Sequence, residues 1–427
     1  MQPPMRIFKG RLLFVVPFFF LLATNPVSAH ADTALPTVFN FQGSGYGHGI
    51  GMSQIGARAQ ALEGRTASQI LRYYYSYVTL EPFKDDQMLR VNIGHLLTNF
   101  SLRTDTPLGQ VQLIAGNVKD ALVGEPLRVL PAKAQVNFTL LGDVAFPTVL
   151  GSDGTVDSLP SGTTWTIRWT GTRYLEGSPT VVSTVNGKVT TKYRYGQIQV
   201  KLVKTAVLGY RIEVTNTVRL HDEYLWGIGE VPSSWPLASL QAQAIASRTY
   251  ALNKGGSIKT SCDCNLYGSS QDQAFVGYSK ESEATYGKLW KAAVSSTSTD
   301  DTTGLTILFN SKPIGAYYSS SSGGITESSQ NAWGTALTYA ISVPDPWSLD
   351  PTYNSRYAKW IRPLTQALVS SAFGLPDVVS LQVIARNSSG TVARIMGTSA
   401  AGKKVTISGV VFQSRTKLPS TWFGIVS

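Results

Sequence analysis

The stretch "HDEYLWGIGEVPSSWP" holds one carboxyl in largely apolar company. Glu230 stands between Gly229 and Val231, with Trp226, Ile228 and Trp235 close along the chain. A carboxyl kept partly out of water has a raised pKa and retains a proton to donate near neutrality. Cleaving a glycosidic bond requires such a donor. The competing reading is electrostatic, since a carboxylate just ahead of a helix is favoured by the helix dipole. Within the helix that follows, Gln241 and Arg248 are spaced to lie on nearly the same face. An arginine inside "LASLQAQAIASRTYAL", Ala-rich and therefore expected to be buried, must find an anion or several acceptors. Glu230, an anionic substrate group or main-chain carbonyls would each serve.

Two loops could line such a site. "FQGSGYGHGIGMSQIGARAQA" sets alternating glycines around His48. It contains neither a strict G-x-G-x-x-G nor a G-K-[ST], so phosphate-loop and dinucleotide readings fail on spacing. What remains is a backbone free to approach something closely, leading into a helix. His48 is then a structural hydrogen-bonder or a site group. "AYYSSSSGG" places Ser319 to Ser322 after Tyr317 and Tyr318. Hydroxyls on a flexible backbone suit a polyol, with a tyrosine as stacking surface; a plain polar turn is the alternative. A serine nucleophile lacks support. There is no G-x-S-x-G elbow, and the only histidines are His30, His48, His95 and His221.

The elements that must position these groups read as α+β. Residues 50–78 are expected to be helical, with Met52, Ile55, Ala59 and Leu62, then Ile70, Leu71 and Tyr74, at helical spacing. Residues 88–216 are short β-branched and aromatic runs broken by Asp153-Gly154 and Asn186-Gly187. They carry no polar set that suggests chemistry and read as scaffold or accessory module. From 217 a long helix is expected, capped by Ser233 or Ser234, with Pro236 in its first turn and Gly255-Gly256 as its stop. Strands and turns follow it.

Residues 1–29 have the pattern of a secretion signal. Arg6, Lys9 and Arg11 precede the apolar run "LLFVVPFFFLLA", and "VSA" ends at Ala29. The run is short for a spanning helix and is interrupted by Pro17, so a secreted or wall-located chain is expected, with membrane attachment only if the signal stays uncleaved. The net charge is +11, and +8 without the leader's three basic residues. A basic exported protein suits an anionic envelope. No Lys/Arg cluster suggests nucleic acid. Cys262 and Cys264 form a C-x-C, read as free thiols or a small strained disulfide ring. Zinc would need two more ligands, so no metal or cofactor is expected.

Taken together, "GSGYGHGIGMSQIGA", "EVPSSWPLASLQAQAIASRTYAL", "CDCNLYGSSQDQAFVGY", "AYYSSSSGGITES" and "LPSTWF" resemble the stage II sporulation protein D (SpoIID/LytB-like) family. The likeness covers residues 38–78 and roughly 216–427. It implies a SpoIID-like catalytic domain of mixed strands and a few helices over 217–427, with 38–78 packed on it and 88–216 inserted between. It also implies a peptidoglycan lytic transglycosylase that cuts the bond between N-acetylmuramic acid and N-acetylglucosamine, on strands stripped of peptides. Some relatives are described as amidase enhancers, which makes a cell-wall amidase a possible partner beside the glycan strand.

By that resemblance Glu230, in "EVP", is the catalytic acid and then base. The substrate's own 6-hydroxyl traps the oxocarbenium-like centre, giving 1,6-anhydro ends. Arg248, Gln241, Tyr317, Ser319, Ser321, His48 and Gln54 fall at the positions that line the substrate. Three departures stand out. Gln241 occupies a position where the family often has Lys. "GIGEVP" is shorter than the usual segment before the acid. The G-H-G-x-G-M-S-Q string precedes the serine-rich turn instead of following it, the order of a circular permutation. A non-catalytic wall-binding protein or amidase activator is the alternative. A hydrolase with a second carboxylate among Asp222, Glu223, Asp272 and Glu327 is a third reading.

Overall fold

The computed structural model describes Met1 and residues 35–426, except 107–108, 120–124, 131 and 187–188. Beyond Met1, the expected leader and His30 lie outside the described residues. No helix among the described residues is long and apolar enough to cross a membrane. The chain mixes helices with many strands, an α+β fold.

Two antiparallel-rich sheets account for the central stretch. One has seven strands, running from Leu266–Tyr267 through Met88–Leu97, Gly209–Arg219, Gln197–Thr205 and Thr164–Trp169 to Val111–Ala115 and Arg128–Leu130. The other has six, built around Asn99–Thr104 and Gln135–Leu141. Alternation along the strands turns Phe100, Leu102, Val136 and Phe138 of one sheet toward Leu113, Trp165, Ile167 and Val200 of the other. The same buried cluster continues through Leu220, Tyr224, Leu240 and Ala244 to Trp290. The β-rich stretch and the helical stretch therefore share one core. The compositional boundary at 216/217 falls inside the single strand Gly209–Arg219, because a change in residue texture marks a change in burial more readily than the end of a strand.

The N-terminal stretch is tied to the far end of the chain. Strand β1 (Val38–Gly43) lies between Trp360–Thr365 and Phe423–Val426. Its Phe39 and Phe41 enter a second core with Trp360, Phe373, Phe412 and Phe423. Strand β2 (Met52–Ser53) pairs in parallel with Tyr318–Ser319. Two helices follow where one run of 50–78 was expected. Helix α1 (Gln54–Leu62) is capped by the Ser53 hydroxyl, which accepts from Gly56 N–H at 3.1 Å. Helix α2 (Ala67–Tyr74) starts at a Thr66/Gln69 capping box. Gly64, with φ +87°, breaks the run between them. Tyr74 and Tyr75 are core residues, and Tyr73 is half-buried with its hydroxyl donated to the Pro344 carbonyl.

Helix α3 (Leu237–Lys254) is buried over most of its length, packing on α1, α2 and the strand Thr303–Phe309. Its N-cap is Pro236, without a side-chain cap bond. This corrects the expected serine cap: Ser233 donates instead to Glu283 at 2.7 Å. Gly255 ends the helix as anticipated.

Candidate active site

Three stretches remote in sequence meet at Glu230. The segment around it runs beside 274–276. Gly229 N–H donates to the Ala274 carbonyl (2.8 Å), and Val276 N–H donates to the Gly227 carbonyl (2.8 Å). Ala274 N–H returns to the Glu230 carboxyl at 2.6 Å. From β2 and α1 comes Gln54, and from the strand beside β2 comes Tyr318; both side chains also act on the carboxyl. Burial raises the Glu230 pKa, and the donors from Ala274, Tyr318 and Gln54 oppose that rise. Burial is incomplete: Glu230 as a whole residue keeps some surface exposed.

The residues behind the carboxyl form a polar network from which the sequence reading had selected Gln54 and Asp272 but not Gln243, Ser247, Gln273, Tyr224 or Tyr250. Gln54 donates to Gln243 (3.2 Å), and Gln243 to Ser247 (3.1 Å). Tyr318 accepts from Gln273 (2.7 Å), which accepts in turn from Tyr224 (2.7 Å). Tyr250 donates to Asp272 at 2.8 Å. Gln243, Ser247 and Tyr250 recur at helical spacing, so one face of α3 is turned toward Glu230. Burial raises the pKa of Tyr318, Tyr224 and Tyr250, and the nearby Glu230 charge pushes the same way. These hydroxyls stay protonated as donors. The available signal was polar residues at i, i+4 and i+7 on an otherwise apolar helix.

The face carrying Gln241 and Arg248 lies about half a turn away. Gln241 donates to Ser296 at 2.9 Å. Arg248 is 0% exposed. Its Nε donates to Asp85 at 2.6 Å and its Nη1 to Thr297 Oγ1 at 2.9 Å and Leu305 O at 3.2 Å. Asp85 also meets His221 Nδ1 at 2.6 Å. The anion expected for the buried arginine is therefore Asp85, not Glu230 or a substrate group. Desolvation lowers the Arg248 pKa and Asp85 opposes it.

The two loops pack on each other. Tyr46 N–H donates to Ser321 O (2.9 Å), Met52 N–H to Tyr317 O (3.1 Å) and Ile55 N–H to Ser320 O (3.0 Å). A Cβ at Gly51, where φ is +70°, would lie 2.0 Å from Tyr317 O. That glycine is required by backbone approach to the serine-rich turn. Ser319 and Ser321 are buried by the packing, which removes them from the ligand-facing surface expected for them. Their positions along the turn did not reveal which way the hydroxyls point.

His48 and Tyr317 form an aromatic rim with a residue the sequence reading omitted, Trp333. The Tyr317 and Trp333 centroids lie 4.6 Å apart, and His48 sits 5.7 Å from Trp333. Trp333 is 45% exposed. Tyr317 also meets Tyr250 edge-on at 6.0 Å, with Lys254 Nζ 5.4 Å from its ring. His48 Nδ1 accepts from Ile50 N–H at 3.0 Å. Crowding lowers its pKa to about 4, against a smaller upward pull from the Tyr318 backbone. Part of the ring is nonetheless exposed, so its neutral state rests more securely on the Ile50 bond than on burial. A neutral imidazole committed to the backbone is a wall, not a proton shuttle.

The remaining acids are engaged elsewhere. Asp222 pairs with Arg219, and Glu223 with Arg173 at 2.8 Å. Asp272 receives Tyr250, Lys259 (2.8 Å) and Tyr267 N–H (2.8 Å). Glu327 is buried and accepts from Ser328 N–H, Asn331, Asn387, Ser389 and Thr391. Cys262 and Cys264 are buried and joined by a disulfide. Beside it Asp263 pairs with Arg90 and Lys201, both at 2.9 Å.

Residues 209–301 match the family described as "SpoIID: Stage II sporulation protein". The chain is 35% identical over 116 residues to the "Amidase enhancer" of Bacillus subtilis, covering 27% of this chain and 14% of that protein. It is 29% identical over 134 residues to the "Stage II sporulation protein D" of the same organism, covering 30% of this chain and 38% of that one. The stage II sporulation protein D of Bacillus amyloliquefaciens is likewise 29% identical, over 136 residues. The chain thus spans well under half the length of these relatives. No solved structure matches it. The matched segment contains Glu230, all of α3 and the Ala274 amide, so the likeness to the stage II sporulation protein D family covers the heart of the candidate site.

Proposed function

We propose that this protein binds the glycan strands of peptidoglycan outside the cell and cleaves them as a lytic transglycosylase. The observation that carries the reading is Glu230: half-buried, with its pKa raised by burial, held by the Ala274 amide and set among Gln54, Tyr318 and an open aromatic rim. The rim offers a stacking surface for sugar rings, whose C–H faces pack on aromatic side chains. Glu230, protonated, gives its proton to the glycosidic oxygen as the bond from that oxygen to the anomeric carbon breaks. The 6-hydroxyl of the muramic residue attacks the anomeric carbon and returns its proton to Glu230. A tethered nucleophile has a high effective molarity, so one carboxyl serves both steps. The engagement of Asp222, Glu223, Asp272 and Glu327 with other partners favours this route over a two-carboxylate hydrolysis.

A second reading has one specific support, the relative named amidase enhancer. On it, the same cleft binds glycan without cutting, and the protein acts through a cell-wall amidase. Mass spectrometry of peptide-free glycan strands incubated with wild type and Glu230→Gln separates the two. Anhydro-muramic ends from wild type alone are expected. Hydrated ends would replace the mechanism with hydrolysis. Intact strands that still sediment with both proteins would replace it with the binder.

A further inference from the structure

The closing "LPSTWF" supports the glycine loop, where the Gly47 N–H donates to the Pro419 carbonyl at 2.9 Å, but its tryptophan turns to a separate cavity. Its Trp422 lines a cavity of about 580 Å³, a volume typical of small-ligand sites. The floor is the pairing of β1 with Phe423–Val426, where Gln42 faces Gly424. A Cβ on Gly424 would lie 3.8 Å from Arg386 Nη2, so the missing side chain is part of what keeps the cavity open. Lys359 and Arg386 line it, and no lining residue is acidic. Neither cation forms an ion pair among the described residues. Arg386 donates only to the carbonyls of Gly390 (2.7 Å) and Phe423 (2.8 Å). Those bonds fix the guanidinium and leave its charge uncompensated.

An indole wall with two uncompensated cations selects a ligand of mixed character. The ring face takes an apolar C–H surface, and the guanidinium takes a planar or tetrahedral anion. We propose that this cavity is a second binding site, specific for a sugar unit bearing one carboxylate or phosphate. Cleavage at Glu230 is not needed for it, and none of its lining residues belongs to the Glu230 network.

The test is calorimetric binding to the full chain carrying Glu230→Gln, so that no probe is consumed. The probes are N-acetylmuramic acid, N-acetylglucosamine 6-phosphate and neutral N-acetylglucosamine. At least one charged probe is expected to bind about tenfold or more tightly than the neutral one, as a charge-assisted bond implies. The carboxylate or the phosphate probe, whichever binds, identifies the source. Gly424→Ile, which fills the cavity on a strand that tolerates it, and Lys359→Ala should each weaken that binding by about tenfold; Trp333→Ala should leave it unchanged. Equal binding of all three probes overturns the proposal. So does binding that survives Gly424→Ile in a protein with an unchanged melting curve, or that is lost in Trp333→Ala.

Discussion

Arg248→Met tests which face of α3 serves the site. In the wild type the guanidinium and the Asp85 carboxylate are both fully buried, with Nε and Oδ2 2.6 Å apart. Removing the cation leaves Asp85 inside the protein with His221 as its remaining charged-type neighbour. Breaking a buried pair from one side costs about 3–5 kcal/mol. Methionine fills much of the space and removes Nη2, which has no partner among the described residues, so the lower end applies. At roughly 2–4 °C per kcal/mol for a large domain, the melting temperature should fall by about 6–12 °C.

Glycan cleavage, measured well below both melting temperatures, should keep its KM within about twofold, because Arg248 supports the fold rather than the ligand. The paired variant Asp85→Leu/Arg248→Met should recover part of the lost stability, since it buries no unpaired charge. An Arg248→Met protein that melts like wild type yet loses glycan binding would refute this account. It would return Arg248 to the substrate-lining role that the resemblance implied.

Three other outcomes follow from the geometry. Glu230→Gln should stabilise the protein at neutral pH: a carboxyl whose folded pKa is raised binds its proton more tightly when folded, so wild-type stability falls as pH rises above the unfolded value near 4.5. The advantage should vanish below that value, and a variant less stable than wild type at pH 7 in thermal denaturation would contradict the sign. Trp333→Ala, in an exposed ring beside Tyr317, should weaken binding of glycan strands by about 1–2 kcal/mol in sedimentation assays with little change in melting temperature. Replacing Cys262 and Cys264 by serine removes a very small ring, for which loop-closure entropy predicts only about 1.6 kcal/mol; a loss several times larger in urea titration would mean that the ring holds Asp263 against Arg90 and Lys201.

The long α3 helix, its stop at Gly255 and the desolvated setting of Glu230 were legible because each is a local property: apolar composition, a terminating glycine, hydrophobic neighbours in the chain. The Tyr73–Tyr75 run was only half legible, since periodicity said that a face was buried but not how much of Tyr73 would reach the surface. The serine cap was misread because Pro236 sets the chain direction and Ser233 had a distant partner in Glu283. Asp85 could not be found as the partner of Arg248, because it is more than 160 residues away along the chain, in a stretch without a motif.

The same limit explains the most consequential difference. Spacing showed that Gln241 and Arg248 share a face of α3; the face of Gln243, Ser247 and Tyr250 was equally readable but was not singled out. Spacing carried no information on which face meets Glu230. That choice is made by β2 and α1, which bring Gln54 against Gln243, and by the strand beside β2, which brings Tyr318 against Gln273. Both contacts require the glycine loop to lie flat on the serine-rich turn, backbone against backbone, as the Met52–Tyr317 and Ile55–Ser320 bonds show. The glycines therefore act on the site indirectly. A β-carbon at Gly51 would push on the Tyr317 carbonyl, lift β2 from its partner strand and carry Gln54 away from the carboxyl. Gly51→Ala should accordingly lower cleavage while Glu230 itself remains intact, and wild-type kcat in that variant would show that Gln54 has no part in holding the acid.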